Sequence, residues 1–262
     1  MIFELDSSIA SFFPGKAEGF DAVMRLEGER YRHLDGRTTA RVMIGGLAYF
    51  IKQHRGVGWR EIFKNLVQGR LPILGARDEV LALKRLATLG VPAPRVLGYG
   101  ERGFNPATRE SFIIMEALDN TISLETLCAD WVNNPPRFEF KQAVIAAVAQ
   151  VARLLHTHGM NHRDFYLCHF LLEKTCVDQR PLCLFLIDLH RAAIRKTTPS
   201  RWVNKDLAGL YFSSKGIGLT SRDYYRFMKV YRLQSLREML TSERQHWEHI
   251  KSLGEKLYRE HF

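Results

Sequence analysis

Two aspartates, Asp164 in Asn161-His162-Arg163-Asp164 and Asp188 in Ile187-Asp188-Leu189-His190, have the types and spacing for phosphoryl transfer. One carboxylate can orient and deprotonate an attacking hydroxyl while the other holds a divalent cation on a nucleotide's phosphates. Alone, His-Arg-Asp is a triplet that many chains contain by chance. Here it follows a long helical pattern, Phe138 to His158, with Val144, Val148, Val151 and Leu155 on one face and Gly159 as terminator. Two short apolar strands, Phe170 to Leu172 and Leu182 to Ile187, then lead to Asp188.

Protein-kinase-like enzymes present a base and a metal ligand in this order of helix, loop, two strands and aspartate. The same logic asks for a lysine on an earlier strand and a glutamate on the helix after it. Lys52 closes the apolar Tyr49-Phe50-Ile51, and Glu79 lies early in a helix expected over Ala76 to Leu89, which stops at Gly90 with Pro92 beyond. A carboxylate beside a buried lysine keeps its ammonium charged and aimed at phosphates. The plainer alternatives are a solvated strand-end lysine and an ordinary helix-N-terminal carboxylate. Asp206, placed at a helix start near Asn204, matches a carboxylate that accepts hydrogen bonds from the catalytic-loop backbone, and it could equally be a helix-dipole carboxylate. Glu116 to Leu118 would form the hinge that reads adenine, with Met115 either behind the nucleotide or simply in the core. His162 and Arg163 complete the loop, Arg163 as a brace.

The elements around these residues predict an α+β, bilobal protein-kinase-like fold. The N-lobe, residues 1–117, is β-rich, with a strand over Glu29 to His33 and a hairpin of Thr39 to Ile44 and Leu47 to Lys52 turning at Gly45-Gly46. Strands over Arg95 to Gly100 and Ser111 to Met115 complete a small sheet with one helix against it. Residues 53–75 are an insertion. The C-lobe, residues 118–262, is mainly helical, with segments near Asn204 to Phe212, from a Thr220 cap to Tyr231, and from Ser235 onward. The glycine-rich loop would be Leu34-Asp35-Gly36-Arg37-Thr38, where a single glycine leaves Arg37 and Thr38 to help contact phosphate. His169 stands where an asparagine would bind a second Mg2+. Imidazole is a poor Mg2+ ligand, so a site resting on Asp188, Mn2+ in place of Mg2+, or a bracing role for His169 are all open. The short run between Asp188 and Asp206 leaves little room for a peptide platform and favours a small-molecule or glycan acceptor.

The composition agrees with a globular chain: 262 residues, 46% hydrophobic, 25% charged, with a net charge of +10. It excludes disordered, collagen-like and disulfide-scaffold classes. Neither a signal peptide nor a membrane-spanning run is expected. The cysteines, without a CxxC pair, suggest neither a zinc knuckle nor a disulfide framework, as in a reducing cytoplasm. The excess charge calls for an anionic partner: nucleic acid, a membrane surface, a phosphorylated substrate or an acidic protein. No nucleic-acid-binding motif is present. Arg191, Arg195, Lys196, Arg201 and Lys205 cluster after Asp188 and would suit an acceptor bearing carboxylates or phosphates, or form a solvated face. Trp59 to Val67, followed by Arg70 and Arg77, mixes aromatic and basic residues at helical spacing. It would lie on an anionic leaflet or pack on the N-lobe.

The strings His162 to Phe170, Ile187 to Ala192, Lys205 to Ser213 and Ile217 to Asp223 closely resemble the bacterial lipopolysaccharide core heptose I kinase family. So do His54-Arg55-Gly56, Pro72 to Ala76 and Asp130-Trp131 with Asn134-Pro135-Pro136. The resemblance covers nearly the whole chain, and His169 belongs to the family pattern. It implies ATP- and Mg2+-dependent phosphorylation of the first heptose of the lipopolysaccharide inner core at the cytoplasmic face of the inner membrane. Competing readings are a kinase for another inner-core sugar, an aminoglycoside- or choline-type kinase, and a pseudokinase scaffold.

Overall fold

The structure is a computed structural model and describes residues 1–34, 36–67 and 72–261, with residues 32–34 described by their backbone alone. Asp35 of the expected phosphate loop and Arg70 of the basic segment therefore lie outside the described residues. The chain forms two compact units, residues 1–85 with 94–119, and residues 86–93 with 120–262.

The first unit carries β1 (Ile2–Leu5), α1 (Ser7–Ala10), α2 (Lys16–Arg25), β2 (Glu29–Leu34), β3 (Arg37–Ile44), β4 (Leu47–Arg55), α3 (Gly58–Val67), the start of α4 (Arg77–Leu89), β5 (Val96–Arg102) and β6 (Glu110–Glu116). Its strands form one six-stranded antiparallel sheet in the order β1-β5-β6-β4-β3-β2. Gly45 and Gly46, at φ 57° and 83°, make the tight turn between β3 and β4. Two successive positive φ values are what a primed hairpin turn needs. Side chains alternate along a strand, so Ala40, Val42 and Ile44 join Tyr49 and Ile51 in a core with Phe112 and Ile114. Phe20, Val23 and Met24 of α2 belong to that core. The expectation of a single helix against the sheet is corrected accordingly. The apolar stripe of α2 is short and embedded in polar residues, so it stands out only once the sheet supplies a partner.

The second unit carries β7 (Thr121–Ser123), α5 (Leu124–Cys128), α6 (Phe138–Thr157), β8 (Met160–Asn161), β9 (Phe170–Glu173), β10 (Leu184–Leu186), β11 (Ala193–Ile194), α7 (Ser200–Ser213), α8 (Ser221–Arg232), α9 (Leu236–Ser242) and α10 (Arg244–His261). Helices α6 and α8 pack together, as do α7 and α10. At Gly159 the backbone turns at φ 79°, and a Cβ there would lie 1.8 Å from the Arg195 carbonyl oxygen. Only glycine lets these two stretches meet. The resulting β8–β11 pair, with Asn161 opposite Ala193, anchors the His162-Arg163-Asp164 loop. Antiparallel β9 and β10, joined to β7, flank His169 and Asp188.

Two expectations change. The segment after Ser235 is two helices, because the chain leaves helical geometry at Glu243. Helix α7 begins at Ser200 behind Pro199 rather than near Asn204. Asp206 therefore sits in the middle of α7, beyond the first turn where a helix dipole acts, which removes the helix-start reading of its carboxylate.

Candidate active site

In the first unit the alternation of β4 buries Ile51 and sends Lys52 to the opposite face. There its Nζ lies 2.7 Å from Glu79 Oε1, with the side chains 17% and 2% exposed. Lys52 is therefore not a solvated strand-end lysine, and Glu79 is a buried ion-pair partner in the first turn of α4. The second carboxylate oxygen of Glu79 is buried and has no hydrogen-bond partner among the described residues. Arg37 opens β3 and donates from Nη2 to the Ile73 carbonyl at 3.1 Å, and Thr38 pairs with Gln53 across the ladder. Met115 is buried in β6. Glu116 ends that strand and donates its backbone N–H to Arg95, with Leu118 just beyond.

In the second unit the loop after β8 is held from below by Asp206. Its fully buried carboxylate accepts the backbone N–H groups of His162 at 2.7 Å and Arg163 at 2.8 Å. His156 Nε2 lies 3.3 Å from the same carboxylate, and its Nδ1 is 2.9 Å from the Tyr231 hydroxyl. Arg163 adopts φ 75° and Asp188 φ 60°, a left-handed geometry uncommon outside glycine. Such conformations persist where surrounding bonds over-determine them. Here the Asp206 bonds hold the first. His162 is buried completely, burial pushes its pKa below the usual histidine value, and its Nε2 is 3.0 Å from the Ile187 carbonyl beside Asp188. A carbonyl only accepts, so Nε2 carries the proton.

The two carboxylates have different neighbours. Asp164 accepts from Arg191 Nη1 at 2.8 and 3.2 Å. The structure thus brings Arg191, grouped in the sequence with the acceptor-facing cations, onto the candidate base. Asp188 lies between two histidines, His190 Nδ1 at 2.7 Å from Oδ1 and His169 Nε2 at 3.6 Å from Oδ2. His169 Nδ1 is 2.6 Å from the Asp164 carbonyl oxygen and must be the donor. In the neutral ring, Nε2 then turns a lone pair toward Asp188. A carboxylate oxygen and an imidazole nitrogen facing one another fit a divalent cation, and imidazole suits Mn2+ better than Mg2+.

Beside this loop, Trp202 of α7 is ringed by cations: Arg163, Arg201, Lys205 and Arg195 lie 4.5, 5.2, 5.6 and 5.9 Å from its ring centroid. Arg195 also donates to Asn161 Oδ1 at 2.6 Å. Burial, then repulsion from Arg191 and Arg195, lowers the Arg163 pKa. Lys196 is exposed just after β11. The sequence reading missed His190, His156, Tyr231 and Trp202. An Asp-x-His spacing was the available signal for His190, whereas the other three meet the site only through the packing of α6, α7 and α8.

The family described as "Lipopolysaccharide kinase (Kdo/WaaP) family" matches residues 21–231. "Lipopolysaccharide core heptose(I) kinase WaaP" of Escherichia coli (strain K12) is 49% identical over 241 residues, covering 92% of this chain and 91% of that protein. The protein of the same name from Pseudomonas aeruginosa is 48% identical, covering 91% and 90%. Among solved structures, "WaaP in complex with acyl carrier protein" superposes with a TM-score of 0.84 at 41% identity, covering 98% of this chain and 100% of that one. The chain belongs to the lipopolysaccharide kinase (Kdo/WaaP) family.

Proposed function

We propose that the protein transfers the γ-phosphoryl group of ATP to a hydroxyl of the lipopolysaccharide inner core, with heptose I as acceptor. The observation that carries this reading is the coupling of Asp164 to Asp188: His169 touches the Asp164 carbonyl and faces the Asp188 carboxylate. His162 adds a second tie through Ile187. Asp164, oriented by Arg191, keeps lone pairs for the acceptor hydroxyl. It takes the hydroxyl proton as the sugar oxygen bonds to the γ-phosphorus, the bond from that phosphorus to the β,γ-bridging oxygen breaks, and ADP leaves with that electron pair. Lys52, held by Glu79, offsets charge on the α and β phosphates. Arg37 and Thr38 contribute further phosphate contacts, and Glu116 to Leu118 take the adenine, with Met115 behind it. Asp188, with His169 as second donor, would hold the divalent ion, which supplies charge neutralisation on the phosphates. Mg2+ is the expected ion and Mn2+ the alternative. His162, Arg163 and Asp206 are positioning residues. Arg195, Lys196 and Arg201 take the acceptor's carboxylate or phosphate groups. An anion beside Trp202 would relieve the repulsion among the cations around it.

The test is transfer from labelled ATP to heptosylated, unphosphorylated core lipopolysaccharide by wild type and Asp164→Ala. Loss of a positioned base removes about 10²–10⁴-fold of rate. Undiminished transfer by the variant rejects Asp164 as base. Preference for soluble aminoglycosides would move the acceptor class, and no transfer to any acceptor would leave a scaffold.

Among the described residues no helix is long and apolar enough to cross a membrane. The reading favoured by α3 is peripheral contact at the cytoplasmic face of the inner membrane. Trp59, Phe63, Leu66 and Val67 recur at helical spacing and are all exposed, with Arg60 and Lys64 beside them. An acyl carrier protein is the proposed protein partner. Its support is the complex of the 41%-identical WaaP structure, the +10 charge, and an apolar cavity of about 650 Å3 in the second unit, bordered by Leu124, Val148, Leu210 and Met228.

A further inference from the structure

At the far end of the β9–β10 hairpin, away from His169 and Asp188, three potential metal ligands converge. Glu173 ends β9, Cys176 follows in a short 3-10 turn, and Cys183 stands directly before β10. One donor atom from each lies within 4.8 Å of the other two, and Cys176 Sγ is 3.8 Å from Glu173 Oε2. Tetrahedral zinc, with Zn–S near 2.3 Å and Zn–O near 2.1 Å, sets its ligands about 3.5–3.8 Å apart. The cluster needs only a small contraction to meet that spacing. The backbone already ties its ends, because Glu173 N–H donates to the Cys183 carbonyl at 3.1 Å. Thr175 Oγ1 donates to Glu173 Oε1 at 2.8 Å and turns the other carboxylate oxygen toward Cys176. Such an outer hydrogen bond commonly fixes a ligating carboxylate.

We propose that Glu173, Cys176 and Cys183 form a site for a thiophilic divalent ion, zinc above all, with water as fourth ligand. Thiolates select zinc over magnesium, so this site is chemically separate from the oxygen- and imidazole-lined one at Asp188. It lies on the order of 10 Å away along the four residues of β9. A bound ion clamps the loop end of the hairpin, whose open end is flanked by His169 and Asp188, and its role is stabilising.

Tag-free full-length protein, reduced and stripped with a chelator, is titrated with Zn2+ and with Co2+. The expected result is one retained zinc per chain and a thiolate-to-cobalt charge-transfer band. Both are lost in Cys176→Ser/Cys183→Ser and kept in Cys168→Ala. Thr175→Val is expected to weaken Zn2+ binding by about 10- to 100-fold, and Zn2+ to raise the Tm of the wild type but not of the double variant. The proposal is overturned by a wild type that retains no zinc and shows no band, by a band that persists in the double variant, or by a Cys176–Cys183 disulfide in place of metal. The wild-type cobalt spectrum decides even if the double variant fails to fold.

Discussion

His169 combines two jobs in one ring, because the proton on Nδ1 is committed to the Asp164 carbonyl and Nε2 is left facing Asp188. Replacement by asparagine exchanges a nitrogen donor for the oxygen that Mg2+ prefers. We therefore expect His169→Asn to raise the ratio of Mg2+- to Mn2+-supported transfer by about tenfold or more. Kinetics with each ion decide the matter, and an unchanged ratio would reduce His169 to a brace of the loop. The main residues of the candidate site stand out in the chain because each sits in a short string with a fixed local setting: Lys52 after an apolar strand, Asp164 after a glycine-stopped helix, Asp188 after Leu186-Ile187. Partner choice does not. Arg191 meets Asp164, and His190 meets Asp188, around a left-handed turn at Asp188, and no composition or period encodes that turn.

The elements show the same division between local pattern and tertiary accident. Helix α4, the β3–β4 hairpin and α6 were readable from periodicity and glycine stops. Helix α2 was not, since its stripe of Phe20, Val23 and Met24 gains meaning only against Val42, Tyr49 and Phe112. Helix α7 was displaced because Asn204-Lys205-Asp206 looks like a capped start, whereas Pro199 lies one turn and more upstream. With the helix starting at Ser200, Asp206 lies in its middle, where its carboxylate meets the loop. Removing its carboxylate leaves the buried N–H of His162, that of Arg163, and His156 without an acceptor. Each orphaned group costs about 1–3 kcal/mol. Asp206→Ala should lower unfolding stability in urea by about 3–5 kcal/mol, with Asp206→Asn losing less because it keeps one acceptor oxygen. A loss below about 1 kcal/mol would mean that the β8–β11 ladder alone holds the loop.

At the scale of the molecule the net charge is +10, and two groups of its cations stand in different settings. The cations around Trp202 are packed on an aromatic ring beside the candidate base. Those on α3 flank exposed aromatic and aliphatic side chains, an arrangement that wets one face and inserts the other at an anionic interface. Burying the Trp59 and Phe63 side chains is worth roughly 1.5–3 kcal/mol each, and each nearby basic residue adds about 1 kcal/mol on anionic lipid. Wild type should therefore sediment with vesicles containing phosphatidylglycerol and release as salt shortens the screening length. Trp59→Ala/Phe63→Ala should bind at least about tenfold more weakly while still transferring phosphate to a water-soluble core oligosaccharide. Both substituted side chains are already solvent-facing, so the fold should tolerate the change. Equal binding by the two proteins would remove α3 from the interface. Weakened binding to acyl carrier protein with vesicle binding intact would assign the stripe to the protein partner instead.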